Sequence, residues 1–386
     1  MTRPLASSYD PRIHQTHLSS LDGFRACLAL WVFLGHLADA TGFRNSLLDR
    51  HALAVDLFMV LSGFLMVHTW RGDVRTATFA SAQTLRFYMG RFFRIAPPYY
   101  VLLAFCSLFL TDLAAMHDVA LRAFPPPWSA EVEHFEPRTV WHFANLRWLW
   151  THLTLMFGLF PGLESSTPLP DWSLSLEMQF YLVLPLMLEM LRRVPMIAMA
   201  IFASTLAFVA PVLFGSYLIP GAWEHFGQPS FLPYRLNAFV AGMVISLWLR
   251  SRASAGRSRT ADIRAAIAAT ICLIPLTKPI ILGFLLFALL VTGRVPFVSR
   301  ILSLRPMRLL GDVSYSLYLS HILLIIPAVF VLTRQPWFVG LQPLQRFAVA
   351  LAPTLPMVVI VSYALYRSVE LPSIHLGKRL TASLLS

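Results

Sequence analysis

Charge is scarce in this sequence. Of 386 residues only 13% are Asp, Glu, Lys or Arg, 57% are apolar, and the mean hydropathy is +0.64. A soluble domain carries roughly 25% charged residues, so this scarcity excludes a water-facing shell around an ordinary core. No hydrophilic stretch is long enough for an independent soluble domain of usual size. Cysteine is nearly absent. Cys27, Cys106 and Cys272 lie in apolar runs without ligand spacing, which argues against a disulfide framework or a zinc site and leaves them as small packing residues. Also missing are a Walker loop, a Gly-x-Ser-x-Gly elbow, a His-Glu-x-x-His motif, internal repeats and low-complexity tracts. The polar stretch Met1 to Ser20 lacks the apolar core of a cleavable signal peptide. The first apolar segment is therefore expected to stay as a helix.

What is present is a series of long apolar runs. They predict an all-α, polytopic membrane bundle of about ten transmembrane helices, near 24–41, 52–70, 96–113, 173–191, 196–214, 231–249, 262–276, 279–293, 314–333 and 345–367. The run 147–160 is too short for a crossing that needs about 20 residues and reads as a re-entrant or interfacial element. Residues 1–20 and 371–386 read as cytoplasmic tails flanking one membrane domain over 21–370. The net charge of +12 could suggest nucleic acid, but its distribution says otherwise. Leaving aside Arg25 and Arg235, 21 Lys and Arg fall on the side of the termini and 8 on the other. That bias predicts cytoplasmic termini in a bacterial inner membrane, with lipid and no nucleic acid as partner. The longest loop, 112–171, falls outside, with Pro125-Pro126-Pro127 and the tryptophans 141, 148 and 150. It reads either as an interfacial aromatic belt or as a lid that stacks on sugars.

Ionisable groups inside a bilayer cost several kcal/mol, so each needs a partner or a purpose. Arg25 and His36 share the first span. Eleven residues give about 1100° of rotation, only ~20° beyond three turns, so both side chains face one direction about 16 Å apart. This suits a donor with an anionic head and a reactive tail, such as coenzyme A: arginine for the phosphates, histidine as base or nucleophile. A snorkelling arginine and a core histidine are the bland alternative. Arg91 and Arg94 project from one helix face among Phe87, Tyr88, Phe92 and Phe93. They suit either a second phosphate clamp or an interfacial helix held by acidic lipids. Asp56, Glu177, Arg235 and His36 sit at a common depth on four spans, as a polar pocket or as helix-orienting ion pairs.

Five segments, in order, resemble the acyltransferase-3 family. These are Leu21-Asp22-Gly23-Phe24-Arg25 with His36 (an Arg-x10-His spacing), Val55-Asp56-Leu57-Phe58 through Ser62-Gly63-Phe64-Leu65, Arg91-x-x-Arg94-Ile95 with Pro97 and Tyr99, Trp172-Ser173-Leu174-Ser175-Leu176-Glu177-Met178-Gln179-Phe180-Tyr181, and Ser314-Tyr315-Ser316-Leu317-Tyr318-Leu319-Ser320-His321. The resemblance implies an acyl-CoA-dependent membrane O-acyltransferase acting on a carbohydrate or glycan hydroxyl, with acetyl-CoA the default donor and no permanently bound cofactor. It implies His36 as the catalytic histidine, and donor binding or site organisation by Arg25, Arg91 and Arg94. Glu177 is expected to hold the His36 tautomer. Asp56, Trp172, Arg235, Tyr315 and His321 are the candidate acceptor-binding residues. Two positions depart from the family pattern: Met178 replaces a second carboxylate, and Ala238 replaces an acidic residue three beyond Arg235. Some relatives carry a fused SGNH domain, which is not expected here because the chain ends soon after the last span.

Three other readings compete. His51-x4-Asp56 has the spacing of a lipid-type acyltransferase dyad, without the rest of that signature. A transporter or flippase of a glycan or lipid-linked intermediate would also carry midplane charges, but no inverted repeat is visible. A scaffold for a polysaccharide synthase would not need clustered intramembrane charges. No metal is expected in the site.

Overall fold

The structure is a computed structural model that describes residues 11–70, 81–125, 141, 145–214, 226, 228–256, 258–276 and 278–384. The longer helices are α1 (Pro11–Thr41), α2 (Ala52–His68), α3 (Ala82–Leu108), α4 (Leu110–Ala123), α6 (Trp172–Met190), α7 (Met196–Phe214), α8 (Leu236–Ala255), α9 (Arg259–Leu273), α10 (Lys278–Val291), α13 (Ser314–Thr333), α15 (Pro343–Leu365) and α16 (Leu371–Leu384). Short helices α5 (Leu146–Leu153), α11 (Pro296–Leu302), α12 (Arg305–Asp312) and α14 (Pro336–Val339) link them. No strand occurs among the described residues.

Among the described residues, four helical runs are long and apolar enough to cross a membrane: Ser19–Thr41, Met196–Phe214, Ser314–Thr333 and Pro343–Leu384. Two bent pairs raise this to six, α3 with α4 at 79° and α10 with α11 at 90°. The protein is thus a helical membrane bundle. The other spans expected from sequence do form helices, but α2 is short, and α6 and α8 carry Glu177, Gln179, Asn237 and Arg250. Their polar groups turn inward instead of meeting lipid.

Three local features differ from the sequence expectation. The arginine-rich stretch before Pro97 is not a separate interfacial helix; α3 carries it continuously into the apolar run. Ser81 begins this helix by accepting the Thr84 N–H at 3.2 Å, satisfying one orphan donor of the first turn. Second, Tyr366–Glu370 forms a π-helical segment that carries α15 on into α16. The expected C-terminal tail is therefore helix, and α16 packs on α3 with Gly377 against Phe93. Third, α1 begins at Pro11, inside the expected N-terminal tail. In the 147–160 run, α5 is one short helix, followed by a turn and the 3-10 segment Phe157–Leu159.

Helices α2 and α8 cross in close contact. A Cβ on Gly63 would stand 2.0 Å from the Phe239 carbonyl oxygen, and one on Gly242 would stand 1.9 Å from that of Val60. Two glycines facing opposite backbones let these helices touch main chain to main chain, the small-residue packing of membrane bundles. Around this pair, α1 lies on α11–α13, and α13 packs on α4 and α15.

Candidate active site

Arg25 on α1, Arg91 and Arg94 on α3, Glu177 on α6 and Tyr315 on α13 line one cavity of ≈ 230 Å³ between the helices. Its other wall, from α2, is apolar apart from Ser62 and Thr69. Met66, Thr69, Arg91 and Arg94 also line a second, larger cavity of ≈ 890 Å³ between α3 and α16, where Arg86 and Lys378 stand. The two cavities adjoin at the arginine pair. Pro97 and Pro98 lack the N–H groups that would bond the carbonyls of Phe93 and Arg94, so the helix is loosened just past the pair. Arg91 lies beside a pair of touching aromatic rings, its guanidinium carbon 5.8 Å from the Phe87 ring and 5.9 Å from that of Tyr181. Its Nε is buried and has no hydrogen-bond partner. An unsatisfied buried donor of a charged group is costly, and an anion in the cavity is the partner such a site lacks.

Helix α6 sorts its motif by face. Residues four apart share a face, and Ser173, Glu177 and Tyr181 all line or reach the cavity. The Ser173 and Tyr318 hydroxyls are 2.8 Å apart. The Glu177 Oε1 accepts from Ser62 at 2.7 Å and from the Tyr181 hydroxyl. Ser175 and Gln179 point the other way. Ser175 accepts the Gly158 N–H at 3.0 Å, and Gln179 donates to the Ser230 carbonyl and accepts the Leu232 N–H, both at 2.9 Å. Gln179 thus braces the 230–232 turn.

His36 does not line the arginine cavity. Its ring lies 4.5 Å from His51 and 5.2 Å from His321, centroid to centroid. His321 is fully buried, its Nδ1 is 3.2 Å from the Leu317 carbonyl, and its Nε2 has no partner. The histidines connect to the cavity through Tyr318, which lines it and lies 6.0 Å from His321.

Several expected placements need correction. Glu177 does not hold His36; its partners are Ser62 and Tyr181, and it shares the electrostatic surroundings of Arg25 and Arg91. Depth along an axis does not fix the direction in which a side chain points, and Glu177 faces the arginines. Asp56 and Arg235 do not join a common pocket with His36. The Arg235 Nε donates to Asp56 Oδ1 at 2.7 Å, an ion pair between α2 and the start of α8. That also removes the His51–Asp56 dyad. Tyr315 lines the cavity and donates to the Ile95 carbonyl at 2.7 Å. Trp172 begins α6 and packs partly buried on the core, away from the cavity. Trp148 is buried and donates to Ser166 at 2.9 Å, so it is no lid residue, whereas Trp150 is exposed. Trp141 stacks on His117; residues 126–140 and 142–144 of the lid segment, with Pro126 and Pro127, lie outside the described residues.

Sequence reasoning missed Glu370. The π-helical turn sets it wholly buried, accepting from Ser316 at 2.8 Å and within the electrostatic reach of Arg94 and Arg25. A carboxylate within an apolar C-terminal run was its only signal. A further buried network lies under the loop before α6. Asp171 accepts from Thr167 at 2.9 Å and Tyr99 at 3.2 Å, and Tyr99 meets His152 Nδ1 at 2.6 Å. Burial pushes the Asp171 carboxyl up to about 8 and holds His152 neutral, down to about 3.

A helical membrane bundle with an arginine-lined cavity and a histidine farther along the same helix defines the class. The chain matches the acyltransferase-3 family (Acyltransferase domain) over residues 18–367, and it belongs to that family. It is 26% identical to the "Peptidoglycan O-acetyltransferase OatA" of Listeria monocytogenes, over 88% of this chain and 55% of the relative. It is 25% identical to the "Putative peptidoglycan O-acetyltransferase YrhL" of Bacillus subtilis, over 81% of this chain and 49% of the relative. A Caenorhabditis elegans protein, "Regulator of hypoxia-inducible factor 1", is 26% identical over 49% of this chain and 38% of its own. The chain spans about half the length of the first two relatives. No solved structure matches it.

Proposed function

We propose that the protein is a membrane O-acyltransferase that takes an acyl group, acetyl by default, from acyl-CoA and passes it to a hydroxyl of a carbohydrate acceptor. The observation that carries this reading is the buried Arg91 Nε without a partner in a cavity shared with Arg25 and Arg94. Phosphates are the anions that arginine forks hold best. Arg86 and Lys378 at the adjoining cavity extend the positive field toward the donor's entrance. The acyl end then runs along α1 toward Tyr318 and His36.

In this reading His36 accepts the proton of the acceptor hydroxyl. The oxygen attacks the thioester carbonyl, the C–O bond forms, and the C–S bond breaks. The thiolate of coenzyme A leaves and takes up the proton that His36 holds. A route in which His36 first carries the acyl group has the same balance. Membership of the acyltransferase-3 family and the two O-acetyltransferase relatives support the reaction class. The basic bias of the terminal side supports a cytoplasmic donor entrance.

The test is free coenzyme A released from acetyl-CoA by the reconstituted protein, with soluble glycan fragments as acceptors and mass spectrometry of the product. Release that depends on acceptor and vanishes in His36→Ala is expected. A well-folded wild-type protein that moves a glycan or lipid-linked intermediate without consuming thioester would replace this reading with a transporter.

A further inference from the structure

Beyond the donor cavity, one group of side chains is built as a ligand set. His36, Asp39 and His51 each offer one ligand atom, and these three atoms all lie within 4.8 Å of one another. We propose that they bind a divalent transition-metal ion, with zinc the natural fit, and that the bound ion silences His36. The binding stands by itself; the silencing rests on the reading of His36 as the transfer base.

Two imidazoles and a carboxylate are a donor set of borderline softness, the kind that takes zinc with one position left for water. His36 and Asp39 are three apart on α1 and share a face. His51 comes from the segment that folds back after that helix, and the Trp31 Nε1 fixes the segment by donating to the Leu47 carbonyl at 2.8 Å. The His51 Nδ1 lies 2.9 Å from the Leu48 carbonyl oxygen, which can only accept. Its proton is therefore on Nδ1, and Nε2 keeps its lone pair. That Nε2 is the atom 3.9 Å from Asp39 Oδ2. A backbone carbonyl on the far nitrogen is how proteins fix a histidine as a metal ligand.

The carboxylate is divided in the same sense. Asp39 Oδ1 accepts from Arg44 at 3.0 Å, which leaves Oδ2 toward His51. Gly35 completes the arrangement: a Cβ there would stand 2.4 Å from the His51 ring. The imidazole can lie on α1 beside His36 only because residue 35 has no side chain. All three ligand residues are half-buried and within reach of solvent. Zinc–ligand bonds of ~2.1 Å put tetrahedral ligand atoms about 3.4 Å apart, so the set closes by about an ångström. An ion so held takes the lone pair that His36 would use to accept a proton.

The experiment uses the full chain in detergent, stripped with chelator and titrated with zinc sulfate by calorimetry. Cobalt chloride serves as an optical reporter of four-coordinate geometry. One ion per chain is expected, with the intense visible bands of tetrahedral cobalt. His51→Ala and the near-isosteric Asp39→Asn should each weaken zinc by at least tenfold, while His375→Ala, an exposed histidine elsewhere, leaves it unchanged. In the wild type, zinc should suppress coenzyme A release, and in His51→Ala release should persist at the same zinc concentration. Equal zinc affinity in wild type, His51→Ala and Asp39→Asn would overturn the site. His51-dependent binding with no effect on release would overturn the silencing. If binding behaves as expected but no thioester is consumed under any condition, the acyltransferase reading falls and the metal site stands.

Discussion

Arg91 shows how much chemistry one side chain's surroundings can dictate. The contacting rings of Phe87 and Tyr181 lie against it, Glu177 and Tyr181 answer part of its charge, and Nε is left open. Arg91→Ala and Arg94→Ala should each weaken acetyl-CoA binding by about 1–3 kcal/mol, the worth of a charge-assisted contact. Lysine should restore part of it, since a point charge replaces a fork. Equilibrium binding of a non-hydrolysable donor analogue checks this; a loss of protein stability with unchanged affinity would make the arginines lipid anchors. Glu177→Gln follows from the same geometry. Because the carboxylate sits with Ser62 and Tyr181 on the arginine side, the substitution should raise KM for the donor more than it lowers kcat. A fall in kcat alone would return Glu177 to His36. Asp171 carries a pH signature. Its carboxyl stays neutral to about 8 in the fold but ionises near 3.8 when unfolded. Between those values the folded chain holds the extra proton, so the contribution is full below about pH 4 and is lost as pH rises to 8. Asp171→Asn, which keeps an acceptor for Thr167 and Tyr99, should flatten the fall of the thermal midpoint from pH 5 to 8.

At the scale of elements, the α2–α8 crossing concentrates stability. Its glycine contacts bring backbones together, and the Asp56–Arg235 pair closes one end. Asp56→Ala leaves Arg235 without its counter-charge and should cost about 2–3 kcal/mol. That is below the full figure for a deeply buried pair, because the Arg235 side chain is 32% exposed. Changing both residues to apolar ones should recover part of the loss, read from denaturation midpoints in detergent. Helix positions were largely legible in the sequence, because apolar runs and helix periodicity fix where an element lies and which neighbours share a face. Arg25, Arg91 and Arg94 could be grouped by that arithmetic, and the structure brings them to one cavity. Pairings between helices were not legible. Asp56 with Arg235, and Glu177 with Ser62, depend on how each helix is turned about its own axis, which depth alone leaves free. Helix α16 was hidden because its polar sequence resembles a tail, and Glu370 because only a π-helical turn brings it inward.

For the whole molecule, the consequence is an asymmetry between the two ends of α1. Arg25 belongs to a cavity that adjoins Arg86 and Lys378, whereas His36 sits with His51 and His321. One end gathers cations and suits an anionic donor; at the other, His36 suits proton transfer. Leaving aside Arg25 and Arg235, the side bearing the termini also carries 21 of the Lys and Arg residues, against 8 on the other, so that side should face the cytoplasm. Donor should therefore be consumed from one face only. In proteoliposomes whose orientation is read by proteolysis of a C-terminal tag, acetyl-CoA added outside should release coenzyme A only from molecules with an exposed tag. Raising salt should slow the reaction at low donor concentration, because Arg86 and Lys378 act through a screened field. At saturating donor, where the buried arginines are already paired, salt should matter little. Lys378→Glu should copy the effect of salt, lowering kcat/KM and leaving kcat near its wild-type value. Release of coenzyme A from molecules with a protected tag would place the donor entrance at the histidine end and reverse the assignment of the two faces.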